Sequence, residues 1–172
     1  IFVLGCGMSD EENIALIKKY TDYNTCKKEL RSVKDYWNKT LGTIQVDTPD
    51  KSLDYVINGW YLYQALSSRI MAKAGFYQVS GAFGYRDQLQ DAMNIVMVNP
   101  EYTRQQILRN AKHQFEEGDV LHWWHEKNHF GLRSRYKDDF LWLVYATTNY
   151  IEKTGDYDIL KEKVTYVVGD VL

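Results

Sequence analysis

The sequence predicts an all-α domain built from paired helices arranged around a toroid. Helical apolar periodicity recurs in segment after segment, capping signals separate these segments, and the loops between them alternate in length. The loops at residues 74–86 and 117–136 are long and rich in aromatic and polar residues, whereas those at 97–100 and 154–156 are tight. This alternation is typical of helix pairs whose long loops build a site at one end, because loops longer than about 12 residues are usually functional.

The first 46 residues are predicted to hold the end of a β-domain and two linker helices. Residues 1–4 have the apolar sequence of a buried strand. Ser9 and Glu12 form a capping box that begins a short helix, and apolar spacing predicts a second helix over residues 27–41. Both helices are charged on their other faces, as expected of a linker.

Residues 47–172 form the predicted helical domain. Residues 48–50 and 99–101 share one arrangement, a capping residue followed by proline and an acid, which is a helix start. The helices are predicted over residues 49–72, 87–98, 100–115 and 138–153, with a last one after Asp156.

Composition excludes several classes of protein. The net charge of −2 gives no electrostatic reason to bind nucleic acid or an acidic membrane. The chain has no apolar run long enough to span a membrane and no secretory signal pattern. Cys6 and Cys26 do not make a disulfide framework, and we expect a reducing compartment, the cytoplasm. Neither end of the chain has the character of a natural terminus, so we expect a fragment of a larger protein.

The stretch at residues 81–93, GAFGYRDQLQDAM, is the first candidate site. Glycine lets the backbone approach a ligand, and the Arg86, Asp87, Gln90 and Asp91 side chains could bind the hydroxyls of a sugar. Aromatic residues make up 15% of the chain, a surplus found in carbohydrate-handling proteins and in large cores. A glycine loop leading into a helix with exposed charges is the alternative, and this stretch alone leaves both open.

The second long loop contains paired tryptophans between histidines. Trp123 and Trp124 could stack on a sugar while His122 and His125 bind its hydroxyls; alternatively, the segment is an amphipathic strand with one tryptophan buried. His125 also begins a formal H-E-x-x-H match that ends at His129. Zinc would require both histidines on one face of a long helix, which this sequence does not favour. We therefore expect no metal site.

Two arginines follow in the same loop. Arg133 and Arg135 lie shortly before Asp138 and Asp139, which begin a predicted helix. Two arginines near a helix N-terminus would suit phosphate. Equally, they could pair with the two aspartates, which would also favour the helix dipole.

Three segments together resemble the catalytic domain of glycoside hydrolase family 94: FYQVSGAFGYRDQLQDAM, QFEEGDVLHWWH and GLRSRYKDDFLWLVYATTNYIEKTGD. These enzymes are inverting phosphorylases of β-linked glucosides, such as cellobiose, cellodextrin and chitobiose phosphorylase, together with the phosphorylase-like domain of cyclic β-1,2-glucan synthases. The resemblance implies part of an (α/α)6 toroid, preceded by the last strand of a β-sandwich and by linker helices. A homodimer is common in this family.

The resemblance also implies a reaction. Inorganic phosphate, the co-substrate, attacks the anomeric carbon of a β-linked oligosaccharide while a carboxylic acid protonates the leaving oxygen. The family's donor-sugar site falls on Arg86 and Asp91, which are expected to reach one ring from adjacent sides, with a guanidinium holding the charge of the carboxylate. The neighbours expected around them are Asp87, Gln90, Tyr77 and Gln78.

The family's catalytic acid has no counterpart in this chain. It is the aspartate of a Trp-Asn-Asp motif, which the 172 residues do not contain, so we expect the acid downstream of Leu172. Asp138 and Asp139 do not match that motif and are not assigned as the acid. The sequence therefore predicts part of the donor-sugar site of a phosphorylase and no catalytic residue. A non-catalytic helical carbohydrate-binding or scaffold module is the alternative function.

Overall fold

The computed structural model describes residues 2–5, 7–73, 81–126 and 130–169, and most of these are helical. The α-helices are α1 (Asp10–Thr21), α2 (Tyr23–Leu41), α3 (Lys51–Tyr55), α4 (Tyr61–Gln64), α5 (Tyr85–Asn94), α6 (Pro100–Ala111) and α7 (Asp139–Thr154). The strands are β1 (Phe83–Gly84), β2 (Val120–Trp124) and β3 (Gly131–Ser134). None of the described helices has the length and apolar character needed to cross a membrane.

Helices α1 and α2 form at the two positions predicted for linker helices. The cap at Ser9 is confirmed, because its side chain accepts from the Glu12 amide at 3.3 Å. The Glu12 carboxylate reaches back to the Met8 amide, at 2.5 Å, and so bonds the residue before the cap instead of the Ser9 amide of a complete capping box. None of the residues in these two helices is buried. The strand predicted before them is wrong over residues 2–4, which have no regular structure, and Ile1 lies outside the described residues. A strand needs a partner, and no strand among the described residues pairs with it.

The helix predicted over residues 49–72 is a helical segment of mixed type. Helices α3 and α4 each continue into a wider π-helical segment, Val56–Trp60 and Ala65–Met71. Asp50 caps the start of α3, where its side chain accepts from the Ser52 amide at 2.9 Å. The last π-helical segment packs against α5 and brings Arg69 to it.

The long loops predicted at residues 74–86 and 117–136 contain strands, so the all-α prediction is incomplete there. Strand β2 pairs with both β1 and β3 in an antiparallel sheet. Between Leu121 and Trp123 the register shifts, and His122 is the extra residue of a β-bulge. The short strands are stabilised by packing rather than by length: Trp124 on β2 stacks on Phe83 of β1, with ring centroids 5.5 Å apart.

The core lies between this sheet and helices α5, α6 and α7. Its buried members are Phe83, Tyr85, Leu89, Val96, Ile107, Val120, Trp124, Ala146, Tyr150 and Ile159. Helix α7 matches its predicted range closely, and Gly155, with φ of 71°, ends it. Helix α6 begins after its predicted cap, Asn99, but ends at Ala111, earlier than the predicted residue 115. The helix predicted after Asp156 is a short 3-10 helix, Tyr157–Lys161.

Candidate functional site

Helix α5 is fixed at its first turn by buried amide side chains. The Gln106 amide donates to Asn110 at 2.6 Å, and the Asn110 amide donates to the backbone carbonyl of Tyr85 at 2.7 Å. The Gln88 side chain accepts from the amide of Gly84, immediately before the helix. Buried polar groups that satisfy each other in this way hold the backbone in one position. The charged residues of α5 therefore project from a fixed turn.

Arg86 lies in this first turn and pairs with the start of α7. Its Nη1 donates to Oδ2 of Asp138 at 2.6 Å, and its Nε lies 3.8 Å from a carboxylate oxygen of Asp87. The bond to Arg86 lowers the pKa of Asp138, and the bond to Asp138 raises the pKa of Arg86. Both side chains stay partly exposed, so the pair can still meet a ligand.

Asp91 lies farther along α5 and is more deeply placed, with 12% of its side chain exposed. Arg69 holds it with two nitrogens: Nε lies 3.1 Å from both carboxylate oxygens, and Nη2 lies 2.9 Å from Oδ2. Burial raises the pKa of Asp91, while the hydrogen bond and charge of Arg69 oppose that rise. The result is a fixed carboxylate at the edge of the core.

The guanidinium that contacts Asp91 is therefore that of Arg69, and not that of Arg86 as expected from the sequence. Arg86 and Asp91 are five positions apart, which is not a spacing that stacks two side chains on one helix face. Gln90 and Asp87 are half-buried and lie between them in sequence, whereas Leu89 is fully buried on the core side. Carboxylate, amide and guanidinium groups on one short helix can bind several hydroxyls of a sugar.

The two tryptophans of β2 have different surroundings. Trp124 is 1% exposed, stacked against His113 at 3.9 Å and against Phe83, so it belongs to the core. This is the alternative interpretation of the tryptophan pair, and it leaves no face of Trp124 for a sugar. Trp123 is half-buried and packs on His125 and Phe130 across the hairpin.

Arg133 lies in an ion-pair cluster on the hairpin. Its guanidinium bonds both oxygens of Asp119 at 2.6 Å, reaches Glu117 at 3.0 Å and lies 3.8 Å from the centre of the Phe115 ring. Its side chain is 9% exposed. The predicted pairing with Asp138 and Asp139 is therefore wrong for Arg133, whose partners are upstream carboxylates. Arg135 is exposed beside this cluster.

The remaining predicted positions are Tyr77, Gln78 and the two histidines of the H-E-x-x-H match. Tyr77 and Gln78 lie outside the described residues. His125 follows the end of β2 and begins a hairpin rather than a helix, and His129 lies outside the described residues. Among the residues that are described, no three or more His, Cys, Asp or Glu side chains are grouped to hold a metal ion.

A second polar pair lies at the start of α7. His122, on the bulge of β2, places Nδ1 at 2.7 Å from Oδ2 of Asp139, whose side chain is fully buried. Burial raises the pKa of Asp139, and the bond to His122 opposes that rise. His122 was considered as a sugar ligand from the sequence, but its pairing with Asp139 was not predicted, and Arg69 was not assigned to a site. An arginine in a largely apolar helix is nevertheless a signal that a carboxylate lies nearby.

Comparison with known proteins identifies the family. Residues 36–170 match the glycosyl hydrolase 94 superfamily, catalytic domain. The chain is 47% identical over 143 residues to the cyclic beta-(1,2)-glucan synthase NdvB of Rhizobium meliloti, covering 83% of this chain and 5% of that protein. It is 29% identical over 196 residues to the N,N'-diacetylchitobiose phosphorylase of Vibrio furnissii, covering 97% of this chain and 24% of that protein.

A third relative is the cellobionic acid phosphorylase of Neurospora crassa. It is 27% identical over 176 residues, and the aligned part covers 22% of that protein. The chain thus spans at most about a quarter of the length of these relatives. The family model covers most of the chain, including α5, the hairpin and α7, and it confirms the resemblance found in the sequence. The chain therefore belongs to the glycosyl hydrolase 94 superfamily, within its catalytic domain.

Proposed function

We propose that this chain supplies part of the donor-sugar site of an inverting phosphorylase acting on β-linked gluco-oligosaccharides. The observation that carries the proposal is the Asp91 carboxylate, held on both oxygens by Arg69, on the helix whose first turn presents Arg86. A carboxylate fixed in this way can accept hydrogen bonds from two sugar hydroxyls. The partly exposed guanidinium of Arg86 can donate to a neighbouring oxygen of the same ring.

In the proposed reaction, a phosphate oxygen forms a bond to the anomeric carbon as the glycosidic bond breaks. The electron pair of that bond goes to the leaving oxygen, which takes a proton from a carboxylic acid. The products are a sugar 1-phosphate of inverted configuration and a shortened saccharide. The hydrogen bonds of Arg86 and Asp91 would tighten as the ring flattens toward an oxocarbenium-like state, so they would lower the barrier as well as bind the substrate.

The relatives support this proposal at the level of the reaction class. Two are named as phosphorylases, one of N,N'-diacetylchitobiose and one of cellobionic acid, and the relative with the higher identity is named as a cyclic beta-(1,2)-glucan synthase. A β-1,2-linked glucan is accordingly the first substrate to test. The general acid would come from a part of the complete protein other than these residues, since the chain has no Trp-Asn-Asp. A cytoplasmic location and a homodimer stay predictions.

The test is an assay of the complete protein that contains these residues. Purified protein is incubated with β-1,2-, β-1,3- and β-1,4-linked glucans, with and without inorganic phosphate, and sugar 1-phosphate is measured. We expect phosphate-dependent release from at least one glucan, with inversion detected by NMR of the anomeric proton. Binding of a glucan without turnover would instead support the non-catalytic carbohydrate-binding alternative. Hydrolysis without a need for phosphate would contradict the proposal.

The 172 residues purified alone are expected to release no sugar 1-phosphate. A sugar alkoxide is a poor leaving group, and general acid catalysis contributes about 10²–10⁴-fold. The same glucans and phosphate serve as substrates, and the complete protein serves as the positive control. Clear turnover by the chain alone would show that a residue within it, with Asp138 and Asp139 the first to examine, acts as the acid.

A further inference from the structure

The pair formed by His122 and Asp139 is the polar feature that the proposed function leaves unused. Asp139 is fully buried, yet its Oδ1 has no hydrogen-bond partner within the described part of the chain, and the buried hydroxyl of Tyr85 is in the same situation. Burial and, after it, the charge of Asp139 raise the pKa of Tyr85. Burying a carboxylate with one partner is unfavourable, and a functional role is one reason for which such a group is found in a fold.

The bulge in β2 is the device that brings His122 to Asp139. Strand β1 pairs Gly84 with Trp123, so the next step along the ladder brings residue 122 toward the first turn of α5. Because His122 is the extra residue between Leu121 and Trp123, its side chain is turned toward the start of α7 instead of following the pleat. Bulges are found next to active sites for this reason.

The orientation of the imidazole ring is fixed on two sides. With an ionised carboxylate as partner, Nδ1 must carry the hydrogen, so a neutral ring leaves Nε2 as a hydrogen-bond acceptor. The ring of Tyr136 packs on the imidazole, with centroids 4.6 Å apart. The His122 side chain nevertheless remains 29% exposed. Nε2 of His122 is thus an oriented hydrogen-bond acceptor that is still open to solvent, and it can accept a hydrogen bond from a ligand.

The charges around His122 decide which ligand fits. Asp139 bonds His122 directly, and the preceding Asp138 pairs with Arg86, so two carboxylates and one guanidinium lie at the start of α7 beside this position. A phosphate dianion would be repelled by such a group, whereas a neutral polyol would not be. Sugar hydroxyls can donate to Nε2 and to carboxylates and accept from Arg86.

We propose that His122 binds a hydroxyl of the saccharide beside Arg86 through Nε2, and that Asp139 is the positioning residue that orients it. This inference rests on the proposed function, because it adds a contact to the same sugar site. It places the sugar across the junction of α5, the β2 bulge and the start of α7. In this proposal, the start of α7 contacts the sugar and does not bind phosphate.

The test compares His122→Asn with His122→Gln in the complete protein. An asparagine amide can keep the bond to Asp139 but lacks the outer nitrogen, whereas a glutamine amide reaches the position of Nε2. Calorimetry measures the affinity for the β-linked glucose disaccharide that wild type binds best and, separately, for inorganic phosphate. We expect His122→Asn to weaken disaccharide binding about tenfold, the loss of one hydrogen bond. We expect His122→Gln to recover part of that loss, with phosphate affinity unchanged in both variants. Tm should be unchanged in His122→Asn and lower in His122→Gln, which leaves the buried Asp139 without its partner.

The role of Asp139 is tested by a double-mutant cycle. Asp139→Asn alone should weaken disaccharide binding, but Asp139→Asn combined with His122→Asn should weaken it no more than His122→Asn does, because Asp139 acts through His122. Additive losses would overturn the positioning role. Unchanged disaccharide affinity in His122→Asn, or a loss of phosphate affinity instead, would overturn the inference alone. Wild-type protein that binds no disaccharide would overturn the proposed function and this inference with it.

Discussion

Two arginines in this molecule lie between carboxylates, and their surroundings give them opposite roles. Arg133 bonds both oxygens of Asp119, reaches Glu117 and covers the Phe115 ring, which closes it off from solvent. Arg86 makes one short bond to Asp138, and both side chains remain partly exposed. The cluster around Arg133 stabilises the hairpin, whereas the cluster around Arg86 keeps unused hydrogen-bonding capacity.

The difference teaches that residue type alone does not identify a binding site. Both arginines follow a glycine-containing turn or strand, and both precede aspartates, so the sequence supported a binding role for each. What separates them is how many bonds of the guanidinium are already made within the fold. An arginine with bidentate and stacked contacts has few donors left for a ligand, whereas one with a single hydrogen bond to a carboxylate can bind a ligand as well.

Substitutions at Arg86 and Asp91 should give the largest effects on activity. In the complete protein, Arg86→Ala and Asp91→Ala are each expected to lower kcat/KM by at least about a hundredfold, near 2.7 kcal/mol, because both contacts tighten in the transition state. Asp91→Asn keeps the shape and removes the charge, and should fall between wild type and Asp91→Ala. Near-wild-type kinetics, with the fold intact by circular dichroism, would show that neither residue acts on the substrate.

Arg69→Ala should have a smaller effect, of about tenfold in kcat/KM, because Arg69 acts on the sugar through Asp91. Burial raises the pKa of Asp91 and Arg69 opposes that rise, so removing Arg69 should raise this pKa further. The ionised carboxylate would then be lost at a higher pH as the solution is acidified. The acid limb of the profile of kcat/KM against pH should move to higher pH, and Arg69→Lys should restore part of it. An unmoved acid limb would separate Asp91 from the reaction.

Arg133→Ala tests the other side of the comparison. We expect a lower Tm, since the hairpin loses its ion pairs and its contact with Phe115, and a kcat/KM within about threefold of wild type once measured well below that Tm. Lys34→Ala, an exposed residue of α2, is the matched control and should leave both unchanged. A large loss of kcat/KM at unchanged Tm would return Arg133 to the substrate site.

The smallest expected effect is a change in acid stability at Asp119. The bond from Arg133 lowers the pKa of Asp119 below its ordinary value of about 3.9. The pair therefore contributes its full stability above the pKa of the unfolded carboxyl and loses it as the pH falls through the lower pKa of the folded one. Asp119→Asn should reduce the dependence of Tm on pH below about 4. If the slope of Tm against pH is unchanged in Asp119→Asn, other carboxyl groups account for the loss of stability in acid.

The helices and the family were accessible from the sequence, because local signals determine both. Caps such as Ser9 and Asn99 and the stop at Gly155 act within a few residues, so α1, α6 and α7 form close to their predicted positions. The three conspicuous segments likewise identify the superfamily, since they are contiguous stretches of sequence. Arg86 and Asp91 were singled out for the same reason.

The partners of those residues were decided by the tertiary structure. Arg69 reaches Asp91 across 22 positions of sequence, and Arg86 reaches Asp138 across 52, distances over which no local pattern specifies a pairing. The hairpin is a similar case: β1 has two residues, and it exists because Trp124 stacks on Phe83 across the sheet. The sequence alone showed which side chains have the chemistry to bind a sugar. Long-range packing determined which of them kept free hydrogen-bonding capacity, because a guanidinium enclosed by carboxylates and a ring has already made its bonds.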